Sequence, residues 1–338
     1  MKARILAAAA LVATSAMPAA AQNGANEQCF TQTRTEVRDA CQKAVDIFAF
    51  VAPQLGTAIA GGNAVSGSGS TLGGLGHFSV GLRGTVVSGE LPQVSSASAS
   101  FSGAQSDDFT VKRQPITLPT VDAAIGVFGG IPLGVTRVGG VDLLVNAAYL
   151  PGYDGESLDI TTPDGALKLG FGARVGLLQE SILVPGVSAT YLRRDLPTVD
   201  IVGHFDETVG ETELSMRNLS VKSEAWRVVA SKSFFLFGFQ AGAGQDRYQT
   251  GTTLGATVRS GVLACSAADP CSTTPVTIKQ SLARTNYFGS MSLNLLMLKL
   301  VGEVGQVSGG EVETFNTFDG NRADDSRLYG SVAFRFGF

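Results

Sequence analysis

Histidine is almost absent, with 2 residues in 338, and only 4 cysteines accompany it. No C-x-x-C spacing joins those cysteines, so a conventional zinc site has too few ligands and no metal or other cofactor is expected. Charge is scarce as well: 16% of residues are Asp, Glu, Lys or Arg, for a formal net of −4. Lysine and arginine nowhere form a run, which excludes a basic nucleic-acid binder and any nucleic-acid partner. Low charge together with 44% hydrophobic residues excludes a disordered chain. Beyond the first 21 residues there is no run of 18 apolar residues, so no membrane-spanning helix is expected there. What the chain has in excess is glycine, at 42 positions, well above the roughly 7% of average usage.

Residues 1–21 read as an export signal: Lys2 and Arg4, an apolar stretch, then small residues suited to cleavage near Ala21–Gln22. Cys29 follows Asn26, Glu27 and Gln28 rather than a lipoprotein-type box of small residues, so no lipid anchor is expected. Export permits disulfides, and the cysteines fall into two local pairs, Cys29 with Cys41 and Cys265 with Cys271.

Residues 22–75 form an amino-terminal segment unlike the rest. Thr33 and Glu36 have capping-box spacing, and Val37, Cys41, Ala44, Phe48 and Val51 recur at helical intervals. Pro53 is expected to end this helix. The small-residue stretch after it, LGTAIAGGNAVSGSGSTLGGLG, reads either as a flexible linker or as a segment packed against or inside the following domain, in the periplasm or as a plug.

From residue 76 to 338 the period becomes two. In the closing LYGSVAFRFGF, Leu328, Val332, Phe334, Phe336 and Phe338 share one face, and Tyr329, Ser331, Ala333, Arg335 and Gly337 the other. Ten such segments begin near residues 77, 119, 138, 166, 183, 224, 236, 283, 298 and 328. Short links near 130–138, 179–184, 233–236 and 294–297 alternate with long polar ones near 91–115, 153–164, 196–212, 250–279 and 309–325. Short turns on one side and long loops on the other describe an all-β chain: a closed antiparallel transmembrane β-barrel of about ten strands (range 8–14) in a bacterial outer membrane. The physical reason is that unpaired backbone groups cost several kcal/mol in lipid, so the sheet must close on itself. Outer-membrane lipid is then one partner. The barrel-assembly machinery is another, met through the terminal signal Phe334, Phe336 and Phe338.

The alternation assigns faces. Phe78, Val80, Leu82, Val121, Ile125, Val127, Leu169, Phe171, Val175, Phe334 and Phe336 are expected to meet lipid. Arg83, Asp122, Asp142, Lys168, Arg174, Arg227, Arg284, Lys299, Glu303 and Arg335 are expected to line the lumen. Tyr149, Tyr153, Tyr191, Tyr287 and Trp226 suit interfacial girdles. The basic excess on the inner face reads as a lumen that guides anions, or as ion pairs such as Asp142 with Arg174 that fill a narrow interior. Gly170, Gly172, Gly176, Gly242 and Gly244 on that face would open room for a ligand or for residues 54–75.

Catalysis has little to stand on, and no enzyme is expected. His77 beside Ser79, on the inner face, is one H-x-S spacing, and His204 with Asp206 and Glu207 reads as a solvated loop. Residues 61–76 lack the G-K-[ST] ending of a phosphate loop.

The signal, the alternating strands and the aromatic carboxyl terminus resemble bacterial outer-membrane β-barrels. The segment LGTAIAGGNAVSGSGSTLGGLGHFSVGLRG and hairpins such as VDLLVNAAYLP resemble, more narrowly, the FadL/TodX family of hydrophobic-compound transporters. That resemblance implies an amino-terminal plug and passage of apolar compounds. The family's Asn-Pro-Ala stretch is absent here, and its barrels are larger than ten strands. The expected role is passive passage or binding of small hydrophobic or anionic compounds. The alternative is a non-transporting structural or adhesive barrel acting through its extracellular loops.

Overall fold

A computed structural model describes residues 24–65, 67, 69–93, 100, 102–155, 158–207, 210–260, 265–266 and 269–337. The expected signal at 1–21 and Phe338 lie outside these residues. Ten long strands dominate the fold. They are β1 (Phe78–Pro92), β2 (Val111–Phe128), β3 (Gly140–Tyr149), β4 (Leu167–Leu178) and β5 (Gly186–Asp195). The second half holds β6 (Gly210–Phe234), β7 (Phe237–Ser260), β8 (Val276–Leu295), β9 (Leu298–Ser308) and β10 (Arg327–Gly337). Each pairs antiparallel with the next. β10 then lies along β1, from Ser79↔Gly337 to Val87↔Tyr329. The pairings therefore run round as a barrel-like ring, in which each of the ten strands has a neighbour on both sides over part of its length.

Two-residue turns at 235–236 and 296–297, with 179–185 and 129–139, lie at one end, where β1 begins and β10 stops. The connections 93–110, 150–166, 196–209, 261–275 and 309–326 crowd the other. Three strands outrun the expected loops: β6 has 25 residues, β7 24 and β8 20. Within 196–212, Val199–Glu207 is a strand that pairs with the upper part of β6, and Leu158–Thr161 pairs with it in turn. These strands carry the sheet well past the rest of the ring.

All eleven side chains expected on the apolar outer face are exposed there. Leu143, Val145, Val228, Phe239, Met291, Leu300 and Val332 continue the band. At the short-turn end it finishes in Phe128, Phe234, Phe235 and Phe237. Toward the long loops it finishes in exposed Tyr149, Trp226 and Tyr287, with half-buried Tyr191 packed 4.5 Å from the Trp226 ring. Beyond that level the outward residues of β6, β7 and β8 turn polar: Lys222, Arg247, Gln249, Thr277 and Lys279. Tyr153 is exposed but belongs to the long loop past β3, not to the end of a ring strand.

Two helices precede the ring: α1 (Glu27–Phe30) and α2 (Arg38–Ala60). The expected capping box does not form. α2 starts at Arg38 after a tight turn at Thr35–Val37, and its N-cap, Val37, supplies no side-chain bond. The cause is tertiary: the Cys29–Cys41 disulfide and the contact of Arg34 Nη1 with Cys271 Sγ (2.9 Å) hold residues 31–37 off the helical path. Pro53 does not end the helix either. It leaves the Ala49 carbonyl without an intrahelical donor, and Gln280 Nε2 on β8 donates to that carbonyl instead, at 3.2 Å. Both expected disulfides form, Cys29–Cys41 and Cys265–Cys271. Val37 packs on the second of them, which fastens this segment to the long-loop end.

Candidate functional site

The interior of the ring is occupied by the chain's own amino-terminal segment. α2 descends from the long-loop end and touches β1, β2, β5, β6, β7, β8 and β10. Residues 61–71 that follow it are buried wherever they are described. The described residues of this small-residue stretch pack inside the ring. Gly56 lets the Tyr248 ring lie flat on the helix, since a Cβ there would stand 2.5 Å from that ring. Gly62, at φ +75°, turns the chain where a Cβ would meet Arg83 Nη1 at 2.5 Å.

Arginines from four strands converge on the carboxyl end of α2. Arg194 Nη1 donates to the carbonyls of Ile59 (2.8 Å) and Ala60 (3.0 Å), and its Nη2 to Gly62 (3.1 Å). Arg83 Nη1 donates to Gly61 at 2.7 Å, Arg227 to Ala60, and Arg335 to Ala64. The last carbonyls of a helix lack intrahelical donors and carry the negative end of its dipole, so cations belong here. Each charge-assisted bond contributes about 1.5–3 kcal/mol net, and buried guanidinium groups tolerate this site only because carboxylates answer them. Asp122 accepts from Arg83 Nε at 2.8 Å, and Asp246 lies 3.5 Å from Arg227. Glu303 accepts from the Asn63 backbone N–H at 3.1 Å.

A second anchor sits nearer the short turns. Arg174 and Asp142, opposite one another on β4 and β3, pair at 2.6 Å, and the same carboxylate accepts from Leu72 N–H at 3.1 Å. Gly69 N–H donates to Ser231 Oγ (2.9 Å) and Gly67 N–H to Gln240 Oε1 (3.0 Å). The glycine-rich stretch thus spends its backbone donors on the wall of the ring.

Of the ten charged residues assigned inward, Arg83, Asp122, Asp142, Arg174, Arg227, Arg284, Glu303 and Arg335 are buried, while Lys168 and Lys299 are half-buried. Arg284 stands apart from the arginine cluster and donates to the Asp324 and Asp325 carbonyls of a long loop. Lys168, opposite Ala148, is also outside it. Two central members went unread, Arg194 and Asp246, although Ser188-Thr190-Leu192-Arg194 and Gln240-Gly242-Gly244-Asp246 carry the inward phase in the sequence. The inward glycines open less room than expected. A Cβ on Gly242 would meet the Phe288 ring, and one on Gly244 the Trp226 carbonyl; Gly176 alone of the five lies against the inserted segment, at Thr71.

The histidines stand elsewhere. His77 is exposed, not turned inward, and its Nδ1 lies 3.3 Å from the Gly74 carbonyl rather than on Ser79. His204 belongs to the strand Val199–Glu207, not to a loop, with Nε2 3.8 Å from Asp159 Oδ2. The side chains of Asp206 and Glu207 lie outside the described residues.

At the long-loop end α2 is tied down by carboxylates. Asp39 accepts from the Ser100 and Gln105 backbone N–H groups at 2.8 and 2.9 Å. Asp46 accepts from Asn316 Nδ2 and from the Asn316 and Phe315 N–H groups, beside a stack of Phe50, Phe318 and Phe109. Burial raises the Asp46 carboxyl from 3.8 to about 6 against the pull of these donors. The folded chain therefore binds more protons than the unfolded one between about pH 4 and 6, and this group's contribution falls as pH rises through that window. Melting wild type and Asp46→Asn in parallel from pH 7 to pH 4 is expected to show wild type gaining relative to the variant as pH falls, by up to about 3 kcal/mol. A pH-independent difference would remove Asp46 as the cause.

No family model matches the chain, and no characterised protein matches it in sequence. Among solved structures it is similar to a deletion mutant of the TodX monoaromatic hydrocarbon channel, at 8% identity and TM-score 0.33, over 82% of this chain and 95% of that one. It is equally similar to the transport unit of the autotransporter AIDA-I from Escherichia coli, at 8% identity and TM-score 0.33, over 91% and 100%. The CymD monoaromatic hydrocarbon channel follows at 12% identity and TM-score 0.25, over 78% and 89%. Likeness at this level assigns neither family nor activity, and the architecture rests on the strand pairings.

Proposed function

We propose that this chain is a bacterial outer-membrane barrel for passage or binding of small compounds, held shut at rest by its own residues 22–75. In this reading residues 1–21 direct export, 22–75 form the plug and 76–338 the closed ten-stranded wall. The apolar band supports the membrane assignment. From Trp226 to Phe234 on β6 are eight steps, roughly 20 Å at a barrel-like tilt, close to the roughly 25 Å band of such barrels. Arg83, Asp122, Asp142, Lys168, Arg174, Arg227, Arg284, Lys299, Glu303 and Arg335 are the proposed lumen residues. Phe334 and Phe336, facing lipid on the last strand, suit recognition by the assembly machinery.

The observation that carries the closed state is the set of four arginines on the carbonyls of residues 59–64. The same lock favours a second reading, a barrel that conducts nothing and acts through its long-loop end, where β6, β7 and β8 project and two disulfides brace the surface. Conductance in planar bilayers separates the two. The first reading expects a silent intact chain that opens when the plug is removed. Silence of both the intact and the unplugged barrel supports the second.

A further inference from the structure

Where the plug meets the short-turn mouth it leaves a cavity of about 370 Å³ between Val65, Thr71 and Leu72 and the seam of β9, β10 and β1. Its lining has two characters. Arg174, Lys299 and Arg335 supply one side, and Val65, Leu72 and Met297 the other. The cations are unevenly matched. Arg174 has Asp142, whereas Asp122 is held by Arg83 at 2.8 Å and stands 3.7 Å from Arg335. Arg335 is 5% exposed, spends one Nη on the Ala64 carbonyl, and has a buried Nε with no hydrogen-bond partner. Lys299 Nζ has a 3.4 Å contact with the Gly67 carbonyl. Glu180, the nearby acid of the mouth, is engaged by Ser231 Oγ and Ser233 N–H. Arg335 and Lys299 both line this cavity, and an oxyanion is the group that answers a guanidinium and an ammonium together.

We propose that this cavity binds a small oxyanion, a carboxylate or phosphate, that carries an apolar group. The charged end lies between Arg335 and Lys299, and the apolar end rests on Val65, Leu72 and Met297. A volume of this size suits a compact organic ligand. The proposal deepens the reading of the lumen as a binding barrel but does not require passage through it.

The test is thermal melting of the full exported chain, refolded in an uncharged detergent at constant ionic strength. Phenyl phosphate and benzoate are expected to raise the melting temperature saturably, and benzylammonium is not. Lys299→Gln is expected to weaken the oxyanion effect roughly 10- to 100-fold, the worth of one charge-assisted hydrogen bond. Lys279→Gln, an exposed outward cation beyond the apolar band, is expected to leave it unchanged. Arg335→Gln gives a second reading if it folds; Lys299→Gln suffices if it does not. Phosphatidylglycerol added in place of phenyl phosphate distinguishes sources. An equal, Lys299-dependent rise assigns the cavity to a lipid headgroup, and a rise with the free solute alone assigns it to a solute. No saturable rise with any oxyanion, or an equal rise in wild type and Lys299→Gln, overturns the proposal. A barrel that fails to conduct while the Lys299-dependent rise persists removes passage from the account and leaves the site.

Discussion

Excision of residues 22–75 is expected to turn a silent bilayer into one with discrete, anion-selective current steps. α2 and the described residues of 61–71 lie inside the ring and are fastened to its wall by Arg83, Arg194, Arg227 and Arg335. Without the helix those guanidinium groups face water, with Asp122, Asp246 and Glu303 as their carboxylate partners. The cluster keeps more positive than negative charge, so chloride is favoured over potassium in a focused field. Reversal potentials across a potassium chloride gradient measure that preference directly. Circular dichroism first establishes that the shortened chain has kept its sheet. A folded, shortened barrel that remains silent would leave the loop-based reading standing, and a cation preference would contradict the charge assignment of the interior.

Ala230→Arg is expected to lower stability by about 2–4 kcal/mol in lipid vesicles, the cost of a cation near the middle of the hydrocarbon. Ala230 is exposed on the outward face of β6, four steps from Trp226 and four from Phe234, at the centre of the apolar band. Gln249→Arg on β7 puts the same charge on an outward position beyond Trp226 and Tyr287, where neighbouring outward residues are already polar, and is expected to change stability by less than about 0.5 kcal/mol. Urea unfolding titrations on both variants supply the comparison. The contrast between the two positions is what matters, because a water-facing sheet would tolerate both substitutions alike.

The wall of the ring was legible because one constraint governs each strand: alternate side chains meet two different surroundings. Arg83, Asp122 and Arg335 fall opposite Leu82, Val121 and Phe334 in the sequence itself, and the structure buries the first three and exposes the others. That legibility stops where the contrast stops. In β6 the register slips between Arg217 and Ser220, with Asn218 at φ 53°, so the alternation changes phase and its upper half reads as loop. In β7 the residues from Thr250 to Thr257 are mostly threonine and glycine, too alike for the two faces to differ by eye.

The interior was legible only in part, because its partners are remote in sequence. Nothing near Pro53 announces that Gln280 will satisfy the Ala49 carbonyl. Nothing in the small-residue run says that Gln240, Ser231, Asp142 and Glu303 will take its backbone donors. A flexible linker and a buried plug share this composition, and only long-range hydrogen bonds tell them apart. Arg194 is a different case: the phase of its own strand already turned it inward beside outward Arg193.

Trp226 is the chain's one tryptophan, and it stands 58% exposed at the upper margin of the apolar band. Its fluorescence in refolded vesicles reports whether the outer face of the ring touches lipid. The expected result is blue-shifted emission, quenched by lipids brominated near the head of the acyl chain and insensitive to iodide in the water. Emission at the wavelength of a hydrated indole, quenched by iodide and indifferent to brominated lipid, would contradict it.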